Sequence, residues 1–455
     1  MPNANAEMPE NTQDHRPYPK PAYAWSVVVL LLLTYIISWL DRQILSYIIN
    51  PIKMSFDLND TQIGLLLGPA FAIFYILLGI PVGWLADRKS RKVIIGCGIA
   101  LWSVMTAASG FAKNFTHLFM ARIGVGLGES VLTPSAVSMI SDYFPKEKRG
   151  RAISLYMTGI SLGTAIGSIL GGWIVGSVTS TPTVTLPLFG TIESWKATFI
   201  VVGLPGLVLS ALVFMVREPL RRDRVALGRT GKTETSIAEA LSYFWSRRGA
   251  FFSLWIGQCA MTVTGYAQFF NPELFRRNWN WGMADIGLAI GTVILIFGPA
   301  GANVGGWIAD RFTKAGDIGG PMRATFIAIT ILTLTSIAYP LMPTPWLALA
   351  GLALSTIGGA MASACGATAT AGISPNQVRA QATAVYWVII NLAGLFIGPP
   401  LVGFLTDSVF GDPTALKFSL AIVPAAVGLP CIALQWWGLQ RYRAEAQKLT
   451  ASATP

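Results

Sequence analysis

Twelve apolar stretches, each long enough to cross the hydrocarbon core of a bilayer, follow one another along this 455-residue chain. A membrane-spanning helix needs about 20 consecutive, mostly apolar residues. The chain is 53% hydrophobic and only 12% charged, whereas about a quarter of the residues of a soluble domain are charged. The sequence therefore predicts an all-α integral membrane protein with twelve transmembrane helices. The stretches cover residues 24–49, 63–85, 93–111, 118–140, 152–175, 197–216, 251–270, 286–308, 324–341, 347–373, 382–405 and 416–436.

The distribution of positive charge predicts the orientation of these helices. Of the 33 lysines and arginines, 25 fall in the tails and loops on the side of the N-terminus, six fall in the opposite loops, and two lie within the stretches. Cytoplasmic loops carry the excess of Lys and Arg in membrane proteins. Both termini are therefore expected in the cytoplasm. The net charge of +11 then reflects topology and does not call for a nucleic-acid partner.

Two similar halves are separated by a basic segment. The sequence GWLADRKSRK at residues 83–92 recurs in weaker form as GWIADRFTK at residues 306–314. Many secondary transporters consist of repeated halves that move around a site near the bilayer midplane. We therefore divide the chain into an N-terminal tail (1–23), an N-terminal six-helix half (24–216), a cytoplasmic linker (217–249), a C-terminal six-helix half (250–437) and a C-terminal tail (438–455).

Four ionisable residues interrupt the first and fourth apolar stretches. They are Asp41, Arg42, Arg122 and Glu129. Each charge near the bilayer centre costs on the order of 3 kcal/mol, and such residues usually face a cavity or a partner. Neighbours in a helix point about 100° apart, so Asp41 and Arg42 each need a partner on another helix. A static ion-pair network that holds two helices together is the structural alternative to a working site.

The functional interpretation gives these residues different tasks. Burial favours the neutral form of a carboxyl, and a nearby guanidinium favours the charged form. Asp41 and Glu129 are therefore the candidate proton carriers, and the proton gradient is the expected driving force. Arginine keeps its charge, so Arg42 and Arg122 are candidates to bind an anionic headgroup. No cofactor or metal site is expected from two histidines and four unpaired cysteines. Further candidates for substrate binding are Tyr35, Ser38, Thr133, Tyr266 and Phe269.

The repeated motif carries a family resemblance. The pattern G-x-x-x-D-R-x-x-R-K at 83–92 resembles the signature loop of the major facilitator superfamily, apart from Ser90, where that family usually has glycine. The segments YIISWLDRQILSYII and ARIGVGLGESVLTPSAVSMISDYFPKEKRGRA resemble the spinster branch, whose members move sphingolipids and lysolipids. The resemblance implies the major facilitator fold and a cytoplasmic gate formed by Gly83, Asp87, Arg88, Arg91, Lys92, Asp310 and Arg311.

The expected function is transport of an amphiphilic, anionic lipid, such as a lysolipid or a sphingolipid derivative, coupled to protons. The alternative is a proton-coupled symporter of a small organic anion such as a sugar acid. A membrane enzyme such as a lipid hydrolase is not expected, because no histidine belongs to a polar constellation. A lipid-sensing receptor without transport is a further alternative, and the two matching halves with a gate motif argue against it. We expect a monomer in the plasma membrane, most simply a bacterial inner membrane, with a membrane lipid or amphiphile as substrate.

Overall fold

The computed structural model describes residues 17–78, 81, 85, 88–178, 181–186, 190–221, 237–375 and 377–453. The predicted N-terminal tail and linker lie partly outside these residues. The N-terminal half contains α1 (Pro21–Tyr47), α2 (Ile49–Phe56), α3 (Asp60–Leu67), α4 (Pro69–Leu77), α5 (Arg91–Ser109), α6 (Phe115–Glu129), α7 (Leu132–Tyr143), α8 (Lys146–Met157), α9 (Gly159–Val178), β1 (Thr183–Leu186), β2 (Gly190–Glu193) and α10 (Ser194–Met215).

The described residues from 237 onward form helices and helical turns joined by short loops. The first of these helices lies in the segment that we assigned to the linker, and the last continues through most of the segment that we assigned to the C-terminal tail. The elements are α11 (Ile237–Ser246), α12 (Arg248–Ala267), a 3₁₀ turn (Gln268–Phe270), α13 (Asn271–Trp279), α14 (Met283–Lys314), α15 (Gly320–Ala338), a 3₁₀ turn (Tyr339–Leu341), α16 (Pro345–Gly372), α17 (Arg379–Phe404), a π-helical turn (Leu405–Phe410), a 3₁₀ turn (Pro413–Ala415) and α18 (Leu416–Ala453).

Within the described ranges, eleven helices or pairs of consecutive helices are long and apolar enough to cross a membrane. The expected seventh stretch, 251–270, does form a helix, α12 (Arg248–Ala267). This helix is less apolar than the others because it carries Gln258, Thr262 and Thr264. The helical class is therefore confirmed, and the number of twelve membrane spans stays a prediction. The antiparallel hairpin of β1 and β2, which pairs Thr183 with Glu193, was not predicted.

The second span bends at Gly68. Helix α3 ends there, with φ −113° and ψ −87°, and α4 begins at Pro69. Proline suits a first helical position because its missing N–H would have no partner there. A β-carbon on Gly68 would lie 2.0 Å from the carbonyl oxygen of Leu395 on α17. The bend thus lets a helix of one half approach the backbone of the other half.

The ends of the helices define two sides of the molecule. We call the side where α1 and α12 begin and where α10 and α18 end the linker side, and the opposite side the distal side. On the linker side, the Arg217 N–H donates to the Tyr23 hydroxyl at 2.8 Å. Arg443 pairs there with Asp317 at 2.7 Å.

The two halves are joined by ion pairs on the distal side. Asp60, at the start of α3, accepts hydrogen bonds from Arg277 of the C-terminal half at 2.7 and 2.9 Å. Lys53 pairs with the same carboxylate at 2.5 Å. Asp407 accepts from the backbone N–H and the hydroxyl of Thr61, both at 2.6 Å. These bonds close the distal side.

Small residues bring α9 of one half against α14 of the other. A β-carbon on Gly287 would lie 2.4 Å from the carbonyl oxygen of Ser168 and 2.7 Å from the α-carbon of Gly172. Membrane helices pack closely through such small residues. The glycine contact therefore sets the separation of the halves in this closed arrangement.

Gly287→Ala should destabilise the protein, because the new methyl group meets backbone that cannot move without separating α9 from α14. Overpacking of this kind costs about 1–3 kcal/mol. The midpoint of thermal unfolding in detergent measures the effect. Gly306→Ala is the matched control on the same helix, since no atom lies within 4 Å of its β-carbon position. Equal unfolding midpoints for the two variants would show that the contact at Gly287 does not limit how closely α9 packs against α14.

Candidate functional site

A cavity of about 770 Å³ lies between the two halves. It reaches toward the linker side, where its wall includes Ile160 and Trp387, which are 39% and 40% exposed. Among the described residues that line it, only Arg42 carries a charge. The remaining wall is largely aromatic and aliphatic, with hydroxyl and amide groups dispersed through it. Such a cavity can enclose a molecule that has one anionic group and a large apolar part.

Arg42 is bound to Glu129 at the edge of this cavity. Its Nε donates to Glu129 Oε2 at 2.6 Å, and its second terminal nitrogen lies 2.5 Å from the same oxygen. The Ser38 hydroxyl donates to that oxygen at 2.8 Å. The Glu129 side chain is fully buried, and that of Arg42 is 9% exposed. Removing one partner from a buried ion pair leaves an uncompensated charge, which is strongly destabilising.

Aromatic rings surround the Arg42 guanidinium. Its central carbon lies 4.9 Å from the ring centroid of Trp39, 4.2 Å from that of Phe71 and 4.8 Å from that of Tyr75. Rings at this distance attract a cation through their quadrupole and hold it away from water. The guanidinium is thus kept in place from α1 and α4 while Glu129 approaches from α6.

Asp41 and Arg122 are arranged differently from Arg42 and Glu129. The Asp41 carboxylate accepts a short hydrogen bond from the Thr106 hydroxyl of α5. Arg122 donates to the backbone carbonyl of Asp41 at 3.4 Å, and its guanidinium lies 4.8 Å from the Phe199 ring. Both residues are 2% exposed. The four predicted charges therefore form one buried cluster, but only Arg42 and Glu129 make a direct ion pair in it.

The other predicted binding residues divide into two groups. Tyr35, Thr133, Tyr266 and Phe269 line the cavity. Ser38 does not line it and instead supports Glu129. Sequence analysis missed Thr106, the aromatic rings around Arg42, and three amide side chains of the C-terminal half. These amides of the C-terminal half are Gln268, Asn271 and Asn391, and all three line the cavity.

The predicted gate motif falls partly outside the described residues, which include neither Gly83 nor Asp87. Arg88, Asp310 and Arg311 are exposed. The Arg311 guanidinium lies 5.3 Å from the Trp307 ring centroid on the same helix. Participation of these residues in a gate stays a prediction.

Arg91 and Lys92 belong to a cluster within the N-terminal half. Arg91 is buried and pairs with Asp142 of α7. Its Nε donates to Glu218 at 2.8 Å, and the Lys92 N–H donates to Glu218 at 3.0 Å. The Lys92 ammonium donates to the Phe214 carbonyl at 3.4 Å. These bonds tie the start of α5 to the segment after α10, so they connect helices of one half.

The sequence profile of the Major Facilitator Superfamily matches residues 31–396. The chain belongs to this superfamily. Its relatives include an MFS-type efflux pump of Mycolicibacterium smegmatis, 26% identical over 439 residues, which cover 94% of this chain and 96% of that protein. They also include a probable L-galactonate transporter of Escherichia coli, 27% identical over 88% of this chain and 85% of that protein.

Spinster proteins are also among the relatives of this superfamily member. Protein spinster homolog 3 of Danio rerio is 25% identical over 94% of this chain and 89% of its own length. The crystal structure of a bacterial homolog of the human lysosomal transporter spinster, inward-facing and unoccupied, superposes with a TM-score of 0.78. It is 24% identical and covers 94% of this chain and 98% of that one. The chain is therefore a secondary transporter of the Major Facilitator Superfamily, which works by alternating access and is not an enzyme, and spinster proteins are among its relatives.

Glu218 gives the cluster at the start of α5 a dependence on pH. Burial alone would raise the pKa of its carboxyl, but hydrogen bonds from the Lys92 N–H and from Arg91 and Ser90 outweigh burial and hold the pKa below its usual value. A lowered pKa contributes stability that is present above the unfolded-state value, near 4.3, and is lost as the pH falls through the folded-state value.

We expect Glu218→Gln to lower the free energy of unfolding at neutral pH by about 1–3 kcal/mol, because hydrogen bonds to a charged group are lost. The difference from wild type should shrink as the pH falls below about 4. Thermal unfolding across this pH range measures it, with Glu147→Gln, an exposed site on α8, as the control. A difference in unfolding free energy between Glu218→Gln and the wild type that does not change with pH would contradict the lowered pKa of Glu218.

Proposed function

We propose that this protein is a proton-coupled transporter of an amphiphilic anion, with a lysolipid or sphingolipid-like molecule as the substrate class. The observation that carries the proposal is the lining of the cavity. Among the described residues of a wide and mostly apolar wall, the Arg42 guanidinium is the only charge. A substrate with one anionic headgroup and a hydrocarbon tail matches both parts of that wall.

Proton coupling follows from competition for Arg42. Glu129 Oε2 accepts a hydrogen bond from the Arg42 Nε–H and lies 2.5 Å from a terminal nitrogen of the guanidinium. A protonated carboxyl no longer attracts the guanidinium as an ion, so the Arg42 N–H groups become available to an anionic headgroup. Arginine and a phosphate or carboxylate form strong, often bidentate hydrogen bonds. Proton binding and substrate binding therefore support each other at this pair.

Asp41 is the second proposed proton carrier. Its carboxylate is bound to Thr106 and has an oxygen without a hydrogen-bond partner among the described residues. A group that is incompletely bonded in one conformation can exchange its proton when the helices around it shift. No cofactor is part of the proposal, and a single chain provides the complete cavity.

The orientation of the transporter is also part of the proposal. The excess of Lys and Arg on the linker side favours a cytoplasmic location for that side. The closed distal side then corresponds to an inward-facing state in a bacterial inner membrane. In this state the apolar part of the substrate would lie between the halves, with its headgroup at Arg42.

A proton-coupled symporter of a small organic anion is the second candidate. The amide side chains Gln268, Asn271 and Asn391 of the C-terminal half favour it, because they offer polar contacts opposite Arg42. A relative described as a probable L-galactonate transporter carries a sugar acid in its name. The described residues of the cavity wall include no second cation for such a compact anion, which is why we favour the amphiphile.

Flux into proteoliposomes separates the two candidates. Purified wild-type protein should move a fluorescent lysolipid across the membrane, faster with an imposed pH gradient than without one. Glu129→Gln should abolish the stimulation by the gradient, because a glutamine cannot carry a proton. Arg42→Gln should reduce the flux of an anionic lysolipid by about tenfold or more, since a charged hydrogen bond is lost, and spare a neutral analogue.

Uptake assays with a panel of sugar acids, run in parallel, test the second candidate. Gradient-driven uptake of a sugar acid with no lysolipid flux, from protein whose folding is checked by its unfolding transition, would reject the lipid and support the small-anion symporter. Leu170→Phe, at an exposed position of α9, is the control and should transport like the wild type.

A further inference from the structure

A second, small chamber lies behind Arg42. Its volume is about 20 Å³, and its wall contains Arg42 and Arg122 together with apolar and aromatic side chains. A chamber of this size holds about one particle of the size of a water molecule. Its other lining residues are Leu45, Leu66, Leu67, Phe71, Tyr266, Phe269 and Leu395.

Arg122 has hydrogen-bonding capacity that the described residues do not use. Its Nε and one terminal nitrogen are buried without a hydrogen-bond partner among those residues, and the residue is 2% exposed. Buried polar groups in native proteins are nearly always satisfied, if not by protein then by water or an ion. A guanidinium with two unsatisfied nitrogens in an apolar chamber therefore indicates an occupant that accepts hydrogen bonds.

The chemistry of the wall distinguishes an anion from a water molecule. A water molecule usually makes two to four hydrogen bonds and needs acceptors for its own two protons. The side chains of the chamber offer one acceptor, the Tyr266 hydroxyl, which donates its own proton to Asn391 at 3.1 Å. A small anion needs donors only. Two guanidiniums in an apolar enclosure supply those donors.

We propose that this chamber is a binding site for a monovalent inorganic anion of the size of a halide, held between Arg42 and Arg122. The site is separate from the substrate cavity, although Arg42, Tyr266 and Phe269 belong to both walls. The inference does not depend on the identity of the transported substrate. The chamber is too small for a headgroup such as a phosphate ester.

The charges around the chamber link the anion to protonation. Two arginines and two carboxylates sum to zero when Asp41 and Glu129 are both ionised, so an added anion leaves a net charge inside the membrane. Uptake of a proton by either carboxyl restores neutrality, and anion binding should therefore be tighter at mildly acidic pH. The other titratable groups that face Arg42 from the surrounding helices are tyrosines: Tyr35, Tyr75 and Tyr266.

Crystals of the full chain, grown with bromide in place of chloride, test the site directly. Bromide gives an anomalous diffraction signal, and the proposal predicts a peak in the chamber, within hydrogen-bond distance of Arg122. Density for a water molecule without an anomalous peak there, at mildly acidic as well as neutral pH, would overturn it. A bromide peak confined to the large cavity would overturn it too.

Thermal unfolding in chloride and in methanesulfonate, which is larger than a halide and is not a sugar acid, gives an independent measurement at equal ionic strength. A ligand that binds only the folded state raises the unfolding midpoint, so chloride should stabilise the wild type more than methanesulfonate does. Arg122→Gln should weaken the apparent chloride affinity by about tenfold or more, because charged hydrogen bonds are removed.

Leu66→Phe should fill the chamber and thereby remove the rise of the unfolding midpoint in chloride. This second variant tests the site even if Arg122→Gln fails to fold. Leu170→Phe, exposed on α9, is the matched control and should keep the full effect. An equal chloride effect in all four proteins would contradict the site. Failure of lipid transport in proteoliposomes alongside a bromide peak in the chamber would reject the proposed substrate and leave the anion site intact.

Discussion

The site depends on one ion pair that is held away from water, between Arg42 and Glu129. A buried charge without a partner is far more costly than a buried pair, so neither group can lose the other unless a proton or an anion takes its place. The aromatic rings around the guanidinium and the Ser38 hydroxyl at the carboxylate keep the pair in a single arrangement. The availability of the Arg42 guanidinium to an anion in the cavity therefore depends on whether Glu129 is protonated.

The distal ion pairs are buried in the same way, and the transport cycle has to break and remake them. Asp60 and Arg277 join the halves and are almost fully buried in this state. When the halves separate on that side, water enters and solvates both groups. Hydration then replaces the attraction between the two side chains. The close glycine contacts of α9 and α14 allow the halves to meet without trapped side chains. The closed side is thus held by contacts that can be broken and remade.

Much of the fold could be predicted from the spacing of apolar residues, because the bilayer requires every span to be long and helical. The stripe of Arg122 and Glu129 on α6 also identified the charged cluster. Sequence alone could not assign the partners, since Asp41 binds Thr106 of α5 and only the packing of three helices brings Arg42 to Glu129. Sequence alone could not predict the role of Asp407 either, because it accepts a hydrogen bond from Thr61, which lies 346 residues away in the sequence.

Proton uptake on substrate binding is the measurement that tests the central claim most directly. Titration calorimetry of an anionic lysolipid in buffers with different ionisation enthalpies gives the number of protons taken up per molecule bound. The account predicts about one proton for the wild type at neutral pH, as expected when one carboxyl titrates with binding, and clearly less for Glu129→Gln. Equal uptake in the two proteins, or binding to the wild type without uptake, would show that Glu129 does not control access to Arg42.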